Sequence, residues 1–201
     1  MSGIIAQNSG RHTGLVKASS GGGGVWNLIK TYTASSDSDL SFVEGTDDID
    51  FTAYDEFVFK FINIHPSAES KLSVNFSIDT GSNYNVTKTN TLFNVQHDEA
   101  DSYAEMAYTA NDDLAQSTAF AVLSPGSTGT GNDENLGGYL HCFGLSSTTF
   151  VKHFMAQVNH ATSGPATNNC FMAGYGNTTS AIDAVQFKMS SGNIDAGQIS
   201  L

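Results

Sequence analysis

Cysteine and proline are scarce in this 201-residue chain, with two and three copies. Cys142 and Cys170 cannot build a disulfide framework, and neither sits in a metal-type cluster. Each lies in an apolar run, Leu140-His141-Cys142-Phe143 and Cys170-Phe171-Met172. Both read as buried free thiols, with one bridge between neighbouring strands as the alternative. Long apolar runs are missing as well, and no window approaches the roughly 18 residues of a membrane helix. Ile4-Ile5 is followed at once by Ala6-Gln7-Asn8, so the start has no secretion core and a soluble product of a cytoplasm is expected. No heptad or other helical period is sustained, which excludes a long coiled stem. Basic side chains number eight against 20 acidic ones, for a net charge of −12. A chain this acidic repels nucleic acid and anionic lipid, so neither is expected as a partner.

The charge is unevenly placed. Residues 1–30 hold Arg11, Lys17 and Lys30 and no acid; the remainder carries five basic side chains and all 20 acids, a balance of −15. Residues 1–24, ending in Gly21-Gly22-Gly23-Gly24, read as an attachment arm with a glycine hinge, and 25–201 as one domain. The contacts expected of the arm are its apolar pairs Ile4, Ile5, Leu15 and Val16, with Gln7, Asn8 and Arg11 beside them.

Beyond the glycines, Gly, Ser, Thr and Asn are abundant and Phe and Tyr are spread along the chain, which favours short strands and tight turns. The first strand is expected over 25–33, with Trp26, Leu28 and Lys30 on one face, and a short one over 40–44. In 54–64, Phe57, Phe59 and Phe61 line one face, and Val58, Lys60, Ile62 and Ile64 the other. Such a strand is central and covered on two sides, or its outer face meets another subunit. Leu72, Val74, Phe76 and Ile78 alternate inward, with Ser73, Asn75 and Ser77 outward. A strand over 84–95 is expected to break near Lys88 to Asn90, and Ala100 to Tyr108 suits a brief helix. Further strands are read at 118–124, 136–145, 148–160, 168–176, 184–189 and 194–201, with a long Gly/Ser/Thr/Asn loop at 125–135. Roughly ten to eleven strands at about 8–12-residue spacing predict an all-β, antiparallel β-sandwich, jelly-roll-like, with the arm extending from it.

Chemistry-bearing clusters are few. Glu44, Asp47, Asp48 and Asp50 are close enough to hold calcium, but without the glycine and closing glutamate of the twelve-residue loop. His97, Asp98, Glu99 and Asp101 are weak metal candidates that His141, His153 or His160 would complete. The opposing reading is a polar loop whose Asp caps a turn, and it is preferred because no His-x-His or Cys pair accompanies them. No Gly-x-Ser-x-Gly elbow is present. Asp133 and Glu134 sit in the glycine loop, where the fixed separation of a glycosidase pair is hard to hold. Glycan binding without catalysis is the second reading, through Tyr139, Asn168, Asn169, Tyr175 and Asn177 near expected strand ends. Tyr and Asn are equally ordinary at those places in a sandwich.

Several phrases carry a resemblance. Met1-Ser2-Gly3-Ile4-Ile5-Ala6-Gln7-Asn8, Gly14-Leu15-Val16-Lys17, Phe61-Ile62-Asn63-Ile64-His65-Pro66 and His97-Asp98-Glu99-Ala100-Asp101-Ser102 are among them. So are Ser147-Thr148-Thr149-Phe150-Val151-Lys152-His153-Phe154, Ala173-Gly174-Tyr175-Gly176-Asn177 and Ser191-Gly192-Asn193-Ile194-Asp195. Over nearly its whole length the chain resembles a family of marine tailed-bacteriophage virion structural proteins. Members continue a few residues past the position of Leu201, so a shortened last strand is implied. The resemblance implies a virion component and not an enzyme, without cofactor or catalytic residue. It would be a head decoration, surface fibre or tail-associated tip, bound to capsid or tail proteins. A homo-oligomer, with a trimer favoured, is expected from virion symmetry and the two-sided strand. The alternatives are a receptor-recognition domain for a host surface glycan and, behind it, a glycan-degrading enzyme.

Overall fold

The computed structural model describes residues 26–201. The arm, with Ile4, Ile5, Gln7, Asn8, Arg11, Leu15 and Val16, lies outside the described residues. Thirteen strands follow: β1 (Thr31–Thr33), β2 (Leu40–Val43), β3 (Glu56–Pro66), β4 (Leu72–Ser77), β5 (Lys88–Asp98), β6 (Ala104–Tyr108) and β7 (Leu114–Ser117). They continue with β8 (Ala121–Val122), β9 (Leu136–Phe143), β10 (Lys152–Ala161), β11 (Ala166–Gly176), β12 (Ala184–Met189) and β13 (Ile194–Ser200). Every pairing is antiparallel. The strands form an antiparallel β-sandwich of two unequal sheets. The nine-stranded sheet runs β1-β13-β3-β9-β10-β11-β5-β6, with β7 also on β5, and the four-stranded sheet runs β2-β12-β4-β8. The chain passes from β3 to β4 to β5 by changing sheets twice, the long-range crossing of a jelly-roll-like fold.

Phenylalanines hold the two sheets together. Phe187 of β12 lies 5.1 Å from Phe59 and 5.3 Å from Phe61 of β3, and Phe42 of β2 lies 5.1 Å from Phe59. Phe76 of β4 meets Phe154 of β10 at 5.4 Å. All are buried, as are Leu72, Val74, Leu92, Leu140, Val158 and Val185 around them. A buried Phe contributes about 1.5–3 kcal/mol by area, and an edge-to-face pair about 0.5–1.5 more.

The four-stranded sheet is too narrow to cover the inner face of the larger one, and polar chain covers the rest. Pro125 O accepts from Asn168 Nδ2 at 2.8 Å and pairs with His160 Nε2 at 3.0 Å. Asn168 Oδ1 in turn accepts from Asn94 at 3.0 Å, and Asn94 Oδ1 from Thr109 at 2.9 Å. Buried amides are tolerable when each finds a partner, as in this ladder.

Five sequence expectations are corrected. Residues 100–108 form a turn and β6, with no helix, because β5 offers that segment a free edge. Lys88 to Asn90 does not break a strand but begins β5, with Lys88 and Asn90 turned inward; Lys88 Nζ donates to Val86 O, and Asn90 Oδ1 accepts from Leu114 N. Ile64 belongs to the core: Asn63 has φ 51° and the β3 registers shift there, so the alternation slips by one residue. Ile78 is exposed, because β4 ends at Ser77, whose hydroxyl and Asp79 close the following turn. Ser73, Asn75 and Ser77, expected outward, are buried beneath other chain; Asn75 Nδ2 donates to Tyr84 O and Thr118 O. The thiols are free and buried, and β10 lies between Cys142 on β9 and Cys170 on β11, which removes the bridge.

The bulge that inverts Ile64 rests on Gly197, whose φ of 106° is closed to most side chains and whose Cβ would strike the Asn63 carbonyl oxygen. Gly197→Ala is expected to cost about 2 kcal/mol in denaturant unfolding. A change below about 0.5 kcal/mol shows that the bulge is not what holds the register.

Candidate functional site: an uncovered sheet face and its edge

The sequence-derived candidates do not converge. Among the glycan-binding set, Tyr139, Asn169 and Tyr175 share the outer face of the large sheet. Asn168 is buried in the amide ladder, a place closed to any ligand. Asn177 follows β11, bonded to Gln116 at 2.8 Å. Tyr139 stands mid-strand on β9 rather than at an end, donating to Gln157 Oε1 at 2.8 Å.

His97, Asp98, Glu99 and Asp101 build the β5–β6 turn. Asp98 Oδ1 accepts from the backbone of Ser102 and of Tyr103, each at 2.9 Å, and Asp101 takes the left-handed conformation that turn requires. His97 Nε2 lies 3.2 Å from Asp101. His141, His153 and His160 stand on other strands and do not join them. In the acidic loop, Asp47 is held by Lys30 at 2.9 Å and Tyr32 at 3.0 Å. Glu44 accepts from Phe51 N at 2.6 Å, and Asp50 from Thr52 N at 2.8 Å. Glu134 accepts from Gly131 N at 2.6 Å. These carboxylates close turns, and among the described residues no His/Cys/Asp/Glu group is placed to hold a metal.

The outer face of the nine-stranded sheet is different in kind. The register aligns Tyr139, Gln157, Phe171, Phe93 and Tyr108 in one row across β9, β10, β11, β5 and β6. Phe93 and Phe171 stack at 5.0 Å with planes 12° apart. Adjacent rows carry Met155 beside His141 and Ala173, and Val95 between Asn169 and Met106. Not one outward position on these five strands is Asp, Glu, Lys or Arg. In a chain of net charge −12 that is a pronounced exclusion.

Charge returns on β3, the next strand of the sheet beyond β9. Glu56 and Lys60 point outward there, Glu56 Oε1 sitting 2.5 Å from His141 Nδ1. Lys60 Nζ lies 4.6 Å from the centre of the Trp26 ring, and His141 meets the same indole edge-on at 6.0 Å. Beside them is an open pocket of about 280 Å³ lined by Trp26, Asn27, Tyr54, Glu56, Val58 and Leu201, among others. The sequence reading missed this pocket. Its one available signal was the chain's sole tryptophan standing at the domain's first residues.

The described residues form an all-β sandwich in which no other described segment covers one charge-free sheet face, with a polar aromatic pocket at the margin of that face. No protein-family model, curated protein or solved structure matches the chain.

One reactive group is shut away. Lys88 is fully buried, its ammonium bonded to Val86 O at 2.7 Å and to Asn75 Oδ1, and burial lowers its pKa to about 7. An amine neutral near pH 7 is a nucleophile, but this one has no route to solvent. Lys152, in the same row across Gly176, is buried too and shifted the same way. Between pH 7 and the ordinary lysine value of 10.5, the unfolded chain holds a proton that folded Lys88 has released, so stability rises with pH. The gain is about 1.4 kcal/mol per pH unit at its steepest. Burial raises both thiols, which opposes the trend above about pH 9, and lowered His160 acts only below its ordinary 6.5. Denaturant unfolding between pH 7 and 8.5 is therefore expected to show a rising stability that Lys88→Met largely flattens. An equal slope in both proteins would refute the assignment.

Proposed function

We propose that this chain is an accessory structural protein of a tailed-phage virion, a head decoration, surface fibre or tail-associated tip, that assembles through its outer sheet face. The virion reading is supported by the sequence resemblance. The assembly reading is carried by the charge-free face of β9, β10, β11, β5 and β6. Five strands at about 4.8 Å, each some eight residues long at about 3.4 Å, make a patch roughly 24 by 27 Å. Side-chain relief brings that near the ~800 Å² per partner of a standard interface.

The occupant that fits best is a second copy of the chain. Two chains of charge −12 repel wherever their acids meet, and this face lets them approach without any such meeting. A homo-oligomer is the expected state, with a trimer favoured from virion symmetry. This moves the interface away from the β3 strand on which the sequence had placed it. The arm, through Ile4, Ile5, Leu15 and Val16, would fasten each copy to capsid or tail by grooves or strand addition.

Met106 and Met155 are well exposed, so charge there leaves folding intact. Sedimentation is expected to show an oligomer for the native chain and a monomer for Met106→Glu/Met155→Glu. A native chain that stays monomeric at high micromolar concentration would end the assembly reading. Deleting residues 2–20 is expected to abolish incorporation into particles while the domain still folds; normal occupancy of the truncated protein would show that the arm does not attach it.

A further inference from the structure

The pocket at the β3 margin is built from groups that the assembly reading leaves unused. The geometry points to a binding site for one neutral pyranose ring, the terminal sugar of a glycan. The first observation is an exposed indole held still. Trp26 is 61% exposed, an unusual position for the largest apolar side chain, yet two partners fix it. Lys60 sits over the ring at 4.6 Å and His141 abuts its side at 6.0 Å, with planes 82° apart. A pinned aromatic loses little entropy on stacking against a sugar's C–H face.

The second observation is unspent hydrogen-bonding capacity around that platform. Asn27 Nδ2 donates to Tyr54 Oη at 3.0 Å, which leaves Asn27 Oδ1 as an acceptor and the Tyr54 hydroxyl hydrogen as a donor. Glu56 engages His141 through Oε1, which leaves Oε2 to accept from a hydroxyl. Hydroxyls that both donate and accept are what such a mixed set recognises. The third observation is size: about 280 Å³ lies at the lower end of ligand pockets and suits one ring. Charge then selects among sugars. The Glu56 carboxylate lines the pocket and repels an acidic sugar, while the Lys60 ammonium is already engaged over the indole.

The site differs from the residues that sequence suggested for glycans, sharing none of Tyr139, Asn168, Asn169, Tyr175 or Asn177. It also lies at the β3 margin of the outer face, beside the charge-free patch and not on it.

Trp26 is the chain's single tryptophan, so its fluorescence reports this pocket alone. Titration of the full chain with the methyl glycosides of glucose, galactose, mannose and N-acetylglucosamine, and with a methyl glucuronide, tests the inference. At least one neutral glycoside is expected to shift the emission saturably, while the glucuronide does not. Glu56→Gln is expected to weaken that binding at least tenfold, and Trp26→Ala to abolish it by calorimetry. Met106→Glu alone, on β6 at the far side of the face from His141, is expected to bind sugar as the native chain does, so the two readings fail separately. No emission change with any neutral glycoside, or calorimetric binding that survives Trp26→Ala, would overturn the site.

Discussion

Everything in this fold depends on how few aromatic rings join its two sheets. Phe187 touches Phe59 and Phe61, and Phe42 closes the cluster from β2. This contact anchors a sheet of four strands against one of nine, and the disparity sets the rest. Where the small sheet ends, the large sheet's inner face needs other cover. It receives chain bonded by the Asn94–Asn168–Pro125 ladder and by His160. Burial there rests on matched hydrogen bonds, each contributing about 1 kcal/mol net, where the centre uses apolar area. The protein is thus apolar in the middle and polar-bonded at one flank.

The opposite face of the large sheet receives no cover from the described chain, and its composition departs from the rest of the surface. Acids cluster in turns, where they cap backbone amides: Asp98, Glu44, Asp50, Asp79 and Glu134 all do so. Carboxylates placed this way satisfy turn geometry and add solubility at once. None of them occupies an outward position from β9 to β6. Among the described residues, acid is concentrated where it closes turns and is absent from this broad face.

Much of the architecture was legible because alternation is a strong signal. The limits expected for β9, β11, β12 and β13 fall within two residues of the observed ones at each end. Legibility failed where polar side chains were turned inward. Lys88, Asn90 and Asn75 carry no apolar signal, yet they are buried, because each finds an oxygen or amide that only the folded chain supplies. It failed again at Asn63, where one extra residue reverses the faces and sends Ile64 inward. Period-2 reasoning cannot see a bulge whose cause, Gly197, lies 134 positions away on β13. The candidate site was less legible than the fold for the same reason. Tyr139, Gln157, Phe171, Phe93 and Tyr108 are scattered in sequence and become a row only through register.

The margin between the face and the pocket falls on one strand. Outward positions on β3 are Glu56, Val58, Lys60 and Ile62, so charge enters the sheet surface two strands from its end. Glu56 engages His141 of β9, and Lys60, opposite Tyr139 in the register, engages Trp26, so both charges are partnered at this margin. Glu56 and Lys60 therefore have two consequences at once. They fix the indole and carboxylate of the pocket in place, and they end the charge-free patch, so that copies meeting on it would leave the β3 margin in water. A surface that assembles and still presents a site to solvent needs such a boundary, and on β3 two side chains suffice to draw it.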